Sequence, residues 1–107
     1  YLGIWRAQGT GLVELADVLW IRADGDYSEI RLLNGRSELH DKSLAALSAV
    51  LPPDFVRCHR SCLVNLRHVR SMHAGSGSRY WLVMANGKEL AVGRAHVSGL
   101  RRELGIE

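Results

Sequence analysis

The stretch Val18-Leu19-Trp20-Ile21-Arg22-Ala23-Asp24-Gly25-Asp26-Tyr27-Ser28-Glu29-Ile30-Arg31-Leu32-Leu33-Asn34-Gly35 decides the fold. Val18 to Ile21 is a continuous apolar run, as expected of a buried strand. Asp24-Gly25-Asp26 follows, and these residue types tolerate the dihedrals of a tight reversal. Tyr27 to Leu33 then alternates in part, with Tyr27, Ile30 and Leu32 as its apolar members, and should return antiparallel to the first run. Asn34-Gly35 is a hairpin signal, because a type I′ turn needs positive φ at both central positions. Arg36 to His40 reads as the strand beyond it. Three strands in succession, joined by turns too short for a crossover, make an antiparallel sheet.

The same pattern extends outward. Leu2 to Trp5 reads as a first strand, closed by Gln8-Gly9-Thr10-Gly11, and Leu12 to Leu15 as a second. Ser43 to Leu51 is the first helix candidate. Ser43 can cap it, Leu44, Leu47 and Leu51 make one apolar face, and Pro52-Pro53 ends it. Phe55 to Arg57 and Cys62 to Val64 are short apolar segments around a polar tip, His59-Arg60-Ser61. Val69 to Met72 supplies another edge, Ala74 to Ser78 a loop, and Tyr80 to Met84 a strand. Asn86-Gly87 turns the chain into Glu89 to Val92. A final helix is expected from Arg94 to Leu104, with Gly99 in its interior costing about 1 kcal/mol relative to Ala. The tally is eight to ten short strands and two short helices.

The 107 residues suit one domain, 1–107, with one core. The start at Tyr1 is expected of a piece excised from a longer protein. No apolar run in these residues approaches the ~18 residues of a membrane span, and no stretch of them has the basic start, apolar middle and small-residue cleavage site of a signal peptide. The net charge of +3 is unevenly spread: residues 1–54 sum to −3 and residues 55–107 to +6, with no acid between Asp54 and Glu89. A basic half beside an acidic one points to an anionic partner, nucleic acid first. A merely solubilising basic surface is the plain alternative.

Catalytic and metal readings fare poorly. Cys58 adjoins His59, but adjacent side chains on a strand point to opposite faces. Cys58 and Cys62, on one extended strand, would sit roughly 13 Å apart, too far to bridge. Their expected place is the inner side of a strand, in a reducing cytoplasm. Zinc usually takes four ligands with tight Cys spacing, and no second Cys pair exists. Asp24, Asp26 and Glu29 lack the ligand count of a calcium loop. Gly75-Ser76-Gly77 lacks the Lys-Ser/Thr of a phosphate-binding loop. No enzyme, metal or cofactor is expected.

The densest polar cluster is Arg57-Cys58-His59-Arg60-Ser61-Cys62, followed by Asn65, Arg67, His68 and Arg70. A guanidinium offers five donors in a rigid fork, suited to phosphate and to the O6/N7 edge of guanine. Arg60 and Ser61 sit where a short turn would project them. Gly93-Arg94-Ala95-His96 opens the last helix, whose free N–H groups favour phosphate. Arg57, Arg67, Arg70 and Arg79 fit phosphate contact or a solvated basic face equally. His59 leans toward a supporting role under the tip, and Asn65 toward satisfying buried backbone groups.

On these residues the chain resembles the LytTR family of DNA-binding domains. Val18 to Tyr27 resembles that family's hydrophobic strand followed by E-A-D-G-N-Y, with Arg22 for the acid and Asp26 for Asn. Ser43 to Leu47 is similar to its S-L-x-x-L. Phe55 to Asn65 resembles F-x-R-x-H-R-S-[YF]-[IL]-V-N nearly position for position, with Cys62 where an aromatic is common. Asn86 to Arg94 resembles D-G-x-x-[IL]-x-V-S-R, with Gly93 for Ser. The likeness runs from about Leu2 to Leu104.

The resemblance implies a mostly β (α+β) fold, an elongated set of small antiparallel sheets with about ten short strands and two short helices. It implies bacterial transcription regulation through inter-strand loops that enter successive major grooves of double-stranded DNA. The implied DNA-binding residues are Tyr27 and Ser28, Lys42 and Ser43, Arg57, Arg60 and Ser61, and Arg94 and His96. Gly93 removes a hydroxyl, and Ala95 stands where many members carry a longer polar residue. Paired direct-repeat sites, a homodimer on DNA and an upstream receiver or membrane sensor segment are implied partners. The competing expectation is a protein-interaction module that uses exposed β edges. A single-stranded nucleic-acid reader would need exposed aromatics on one sheet face, and the three Trp, three Tyr and one Phe lie mostly in apolar runs.

Overall fold

The computed structural model describes residues 1–6 and 9–106, with backbone alone at 5, 6, 9 and 10. Among the described residues, ten strands form three antiparallel sheets. Strands β1 (Leu2–Arg6) and β2 (Gly9–Val13) pair with each other. The central sheet holds β3 (Val18–Asp24), β4 (Tyr27–Leu32), β5 (Ser37–His40), β6 (Phe55–His59) and β7 (Cys62–Asn65), in the order β5-β4-β3-β7-β6. The last sheet is β10-β9-β8, from β8 (Val69–Ala74), β9 (Tyr80–Met84) and β10 (Glu89–Val92). Helices α1 (Leu44–Val50) and α2 (Val97–Glu103) complete a body 47 × 24 × 22 Å in extent. The expected mostly β, elongated architecture is what the chain adopts.

β3 sits at the centre of the central sheet and carries its core. Val18, Leu19, Trp20 and Ile21 are all buried, as a four-residue apolar run requires of a strand covered on both faces. Its residues feed two cores, and the register shift between Val18 and Trp20 breaks strict alternation. Val18 and Ile21 join Ile4, Val13, Ile30, Leu44, Leu47, Phe55 and Leu63. Leu19 and Trp20 join Cys58, Cys62, Val64, Leu82, Met84, Leu90, Val92 and Leu100. The central sheet is thus fastened to α1 and the β1–β2 hairpin by one cluster, and to the last sheet and α2 by the other.

Several boundaries differ from the sequence reading. Gly9 to Gly11 belong to a strand, not to a closing turn, while Gln8 lies outside the described residues. Tyr27 is not inward-facing: Ser28 and Ile30 are the buried residues of β4. Neither Asn-Gly pair forms a two-residue type I′ turn, since positive φ occurs at Gly35 (86°) and Gly87 (83°) but not at either Asn. Each closes a three-residue loop instead. Gly35 N–H donates to the Leu32 carbonyl and Gly87 N–H to the Met84 carbonyl. The Asn34 and Asn86 side chains accept from Arg36 N–H and Lys88 N–H. The expected last helix is split: Arg94–His96 is a 3₁₀ turn, and α2 begins only at Val97. The helix N-terminus expected at Arg94 therefore lies three residues further on.

The two cysteines require a correction. They are on different strands, because the chain reverses at Arg60-Ser61, so the 13 Å separation of a continuous strand does not apply. Both are free and buried. The Cys58 thiol donates to the Cys62 carbonyl at 3.7 Å. Cys58, sharing its hydrogen with Cys62 and shielded from water, is held far above the ordinary thiol range.

Candidate nucleic-acid interface

The β6–β7 hairpin is short because its register is tight. Arg57 faces Leu63 and His59 faces Cys62, with a bulge between Arg57 and His59. Only Arg60 and Ser61 are left to turn the chain. A bulge re-aims side chains and increases local twist, and here it falls at the base of the basic tip. Arg60 is exposed, while Arg57, His59 and Ser61 are partly buried. Four bonds hold the tip. Arg57 Nη1 donates to the Arg60 carbonyl at 2.7 Å. His59 Nδ1 lies 2.9 Å from Ser61 Oγ and accepts from Ser61 N–H at 3.2 Å. Ala23 N–H donates to the Ser61 carbonyl at 2.9 Å, tying the tip to the end of β3. His59 thus supports the tip from below.

The neighbouring β3–β4 hairpin turns through Gly25-Asp26, with Asp24 opposite Tyr27 and φ of +59° at Gly25 alone. Glycine at the first central position marks a II′-type reversal. Tyr27 is 53% exposed beside this turn. Ser28 is 1% exposed, and its hydroxyl donates to the Lys42 carbonyl at 2.7 Å. His40 Nδ1 accepts from Lys42 N–H at 3.1 Å. The backbone of Lys42 is therefore clamped on both sides while its side chain stays exposed. Ser43 next to it caps α1, accepting from Ala46 N–H at 3.2 Å.

A cleft of roughly 420 Å³ between these elements is lined by Tyr27, Ser28, Ser43, Arg57 and Arg60, together with Ala23, Gly25, Asp26, Leu44 and Ala45. Five residues singled out in the sequence meet there. Arg94 and His96 do not line it, but they are docked to the same hairpin. Gly93 N–H donates to the Cys58 carbonyl at 2.8 Å. A Cβ placed on Gly93 would stand 3.3 Å from His96 Cδ2 and 3.7 Å from His59 Cα. Glycine at this position therefore matches the close approach of the two segments. Arg94 is exposed and borders a second groove of about 500 Å³, shared with Arg79, Tyr80 and Trp81.

Other basic residues are committed elsewhere. Arg67 pairs with Asp54 at 3.4 Å, and Arg70 donates to the Ala85 carbonyl at 2.7 Å. Asn65 is fully internal. Its Nδ2 donates to the Val18 and Leu15 carbonyls at 2.9 and 3.4 Å, and its Oδ1 accepts from Arg67 N–H. The sequence reading overlooked Ala23, whose N–H anchors the tip, and Arg22, which borders a cavity with His59 and Ser61. Arg22 was legible only as a departure from an acidic position.

The family model described as the LytTr DNA-binding domain matches residues 8–105. The chain belongs to this family. A CO-responsive transcriptional regulator, RcoM, of Rhodospirillum rubrum is 38% identical over 99 residues, spanning 91% of this chain and 42% of that protein. The positive alginate biosynthesis regulatory protein of Pseudomonas aeruginosa is 32% identical over 97 residues, spanning 89% and 39%. The solved LytTr DNA-binding domain of a putative methyl-accepting/DNA response regulator from Bacillus cereus superposes with a TM-score of 0.85 at 27% identity, covering 98% of this chain and 96% of that one. This LytTr chain spans about two fifths of the length of the curated relatives it matches. It is a DNA-binding module of the kind found in transcriptional regulators, and the family is not one of enzymes. Among the described residues, no helix is long and apolar enough to cross a membrane.

Proposed function

We propose that this LytTr domain reads double-stranded DNA through its inter-strand bends, with the Arg60 tip in a major groove and Arg94 in the next. The single observation that carries this reading is the exposed Arg60, on a two-residue turn fixed by four hydrogen bonds, in one cleft with Tyr27, Ser43 and Arg57. An unpaired guanidinium on a rigid tip can hold the O6/N7 edge of guanine. Arg57, already bonded to the tip, both braces Arg60 and presents its remaining donors to a phosphate. Lys42, Ser43 and His96 add backbone contacts on either side. Ser28 acts indirectly, by clamping Lys42 rather than by touching DNA. Arg79, beside Arg94, extends the phosphate track.

Paired direct-repeat sites occupied by two copies, an upstream sensor or receiver segment, a cytoplasmic location and the absence of a catalytic role belong to the same proposal. The test is selection of bound duplexes from a random library, followed by a salt titration on the selected site. A steep fall of log K with log salt is expected, with a slope near −0.9 for each phosphate neutralised. A flat response would favour the second reading, a protein partner on an exposed edge. That reading draws on Leu39, an exposed apolar residue on the edge strand β5.

A further inference from the structure

Away from the cleft, β3 and β4 build a different site. Their register sets Trp20 opposite Arg31 and Arg22 opposite Glu29. Residues two apart share a face, so these four side chains lie together. Both guanidiniums sit over the indole, with Arg22 Cζ at 5.8 Å and Arg31 Cζ at 5.9 Å from the ring centroid. The β9–β10 loop brings Asn86 and Lys88 across from the last sheet. The result is a cleft of about 300 Å³ between two sheets, lined by Trp20, Arg22, Arg31, Asn86, Lys88 and Glu89.

Two independent features describe what would fill it. The first is charge. Three cations meet two carboxylates, and one of these, Glu29, is already 3.6 Å from Arg31. Arg22 and Lys88 have no carboxylate within salt-bridge distance among the described residues. The second is hydrogen bonding. Trp20 is only 5% exposed, and its Nε1–H, like the buried Nε–H of Arg31, finds no partner among the described residues. Leaving a buried donor unpaired costs about 1–3 kcal/mol. Both orphans are donors, and both belong to residues of this cleft. A missing partner of this kind is rich in acceptors and carries negative charge.

We propose that the Trp20–Arg22–Arg31–Lys88 cleft binds a small oxyanion, a carboxylate or a phosphate, between the central and last sheets. Arg22, an exposed side chain, shifts off the indole to admit it and stays at the rim as a second counter-charge. The anion then accepts from the indole and from Arg31 Nε, with Lys88 as counter-charge. Arg22 also borders the small cavity beside His59 and Ser61, but this cleft shares no lining residue with the cleft of the Arg60 tip, and it stands whether or not that tip reads DNA.

The test is titration of the isotopically labelled chain with sodium phosphate and, separately, sodium acetate, at an ionic strength held constant with sodium chloride. The signals followed are the Trp20 indole N–H, assigned by its loss in Trp20→Phe, and the Arg31 Nε–H. Both should move saturably, with half-saturation at about 1–10 mM. Arg22→Gln and Lys88→Ala, which alter exposed side chains and spare the core, should each weaken the response about tenfold. Saturation by acetate or by phosphate supports the site and names its ligand class. Movement that never saturates, or that chloride reproduces, overturns the proposal. So does a response abolished by Arg60→Ala and untouched by Arg22→Gln, which would place the anion on the duplex-facing tip.

Discussion

The β3–β4 and β6–β7 hairpins lie side by side, and both reverse in two residues, yet their chemistry is opposite. The first carries Asp24 and Asp26 at its bend, with Tyr27 alongside. The second carries Arg57 and Arg60, and no acid follows it until Glu89. Their hydrogen bonding differs as well. The β3–β4 bend relies on Gly25, whose φ of +59° relieves the backbone. The β6–β7 bend is held by side chains, with Arg57 and His59 bonded into it. One bend is thus shaped by backbone chemistry and the other is stiffened from its flanks, with the Arg60 carbonyl bonded to Arg57 and its guanidinium without an internal partner among the described residues. A side chain that must discriminate among bases gains from being presented on a fixed support, because less is lost in ordering it on contact.

Arg60→Ala breaks that comparison most severely. Specific duplex binding should fall by ~1–3 kcal/mol, with sequence preference relaxed at one position. Competition between the selected site and single-base variants measures it; equal discrimination before and after the change would remove Arg60 from base reading. Arg57→Ala should act differently. Its main effect should be weaker binding to every duplex and a salt slope lower by about one. Because Arg57 also bonds the Arg60 carbonyl, some loss of discrimination, smaller than that of Arg60→Ala, is expected with it.

Much of this was legible in the sequence, for physical reasons. The apolar run Val18 to Ile21 could only be a strand covered on both faces, and it is. Ser43 fits an N-cap and caps α1. Arg60 and Ser61 stood between two apolar segments, and so had to be the turn. What was illegible depended on tertiary approach. The Cys58 to Cys62 distance was misjudged because a chain that reverses brings residues i and i+4 together. That Ser28 is buried and Tyr27 exposed was not legible, because β4 places Ser28, in phase with Ile30, on the buried side, a choice that one-residue register decides. The Asn-Gly loops took three residues because type I turns with a glycine closing the bulge serve hairpins as well. The Trp20 cleft could not be read at all, since Lys88 and Trp20 are brought together only by packing of separate sheets.

Ser28→Ala sharpens the contrast from the other side. The Lys42 carbonyl loses its donor, so stability should drop by about 1 kcal/mol in urea unfolding. Duplex affinity of the folded protein should stay within about twofold, since the hydroxyl is buried and already bonded to the Lys42 carbonyl. Unchanged stability with a clear loss of binding would mean that β4 turns its hydroxyl outward to DNA.

The smallest expected effect belongs to Asp26→Asn. Its carboxylate lines the same cleft as Arg57 and Arg60 and faces the solvent that duplex phosphates would enter. Removing one exposed negative charge near a polyanion reduces a repulsion that is largely screened beyond a Debye length of about 8 Å at physiological salt. Affinity for any duplex should therefore rise by less than about threefold at low salt and not at all above roughly 0.5 M. Discrimination between sites should not change, because the turn geometry rests on Gly25. A rise confined to one sequence would make Asp26 a reader in its own right, and the two hairpins would then be partners in specificity instead of one tip and its neighbour.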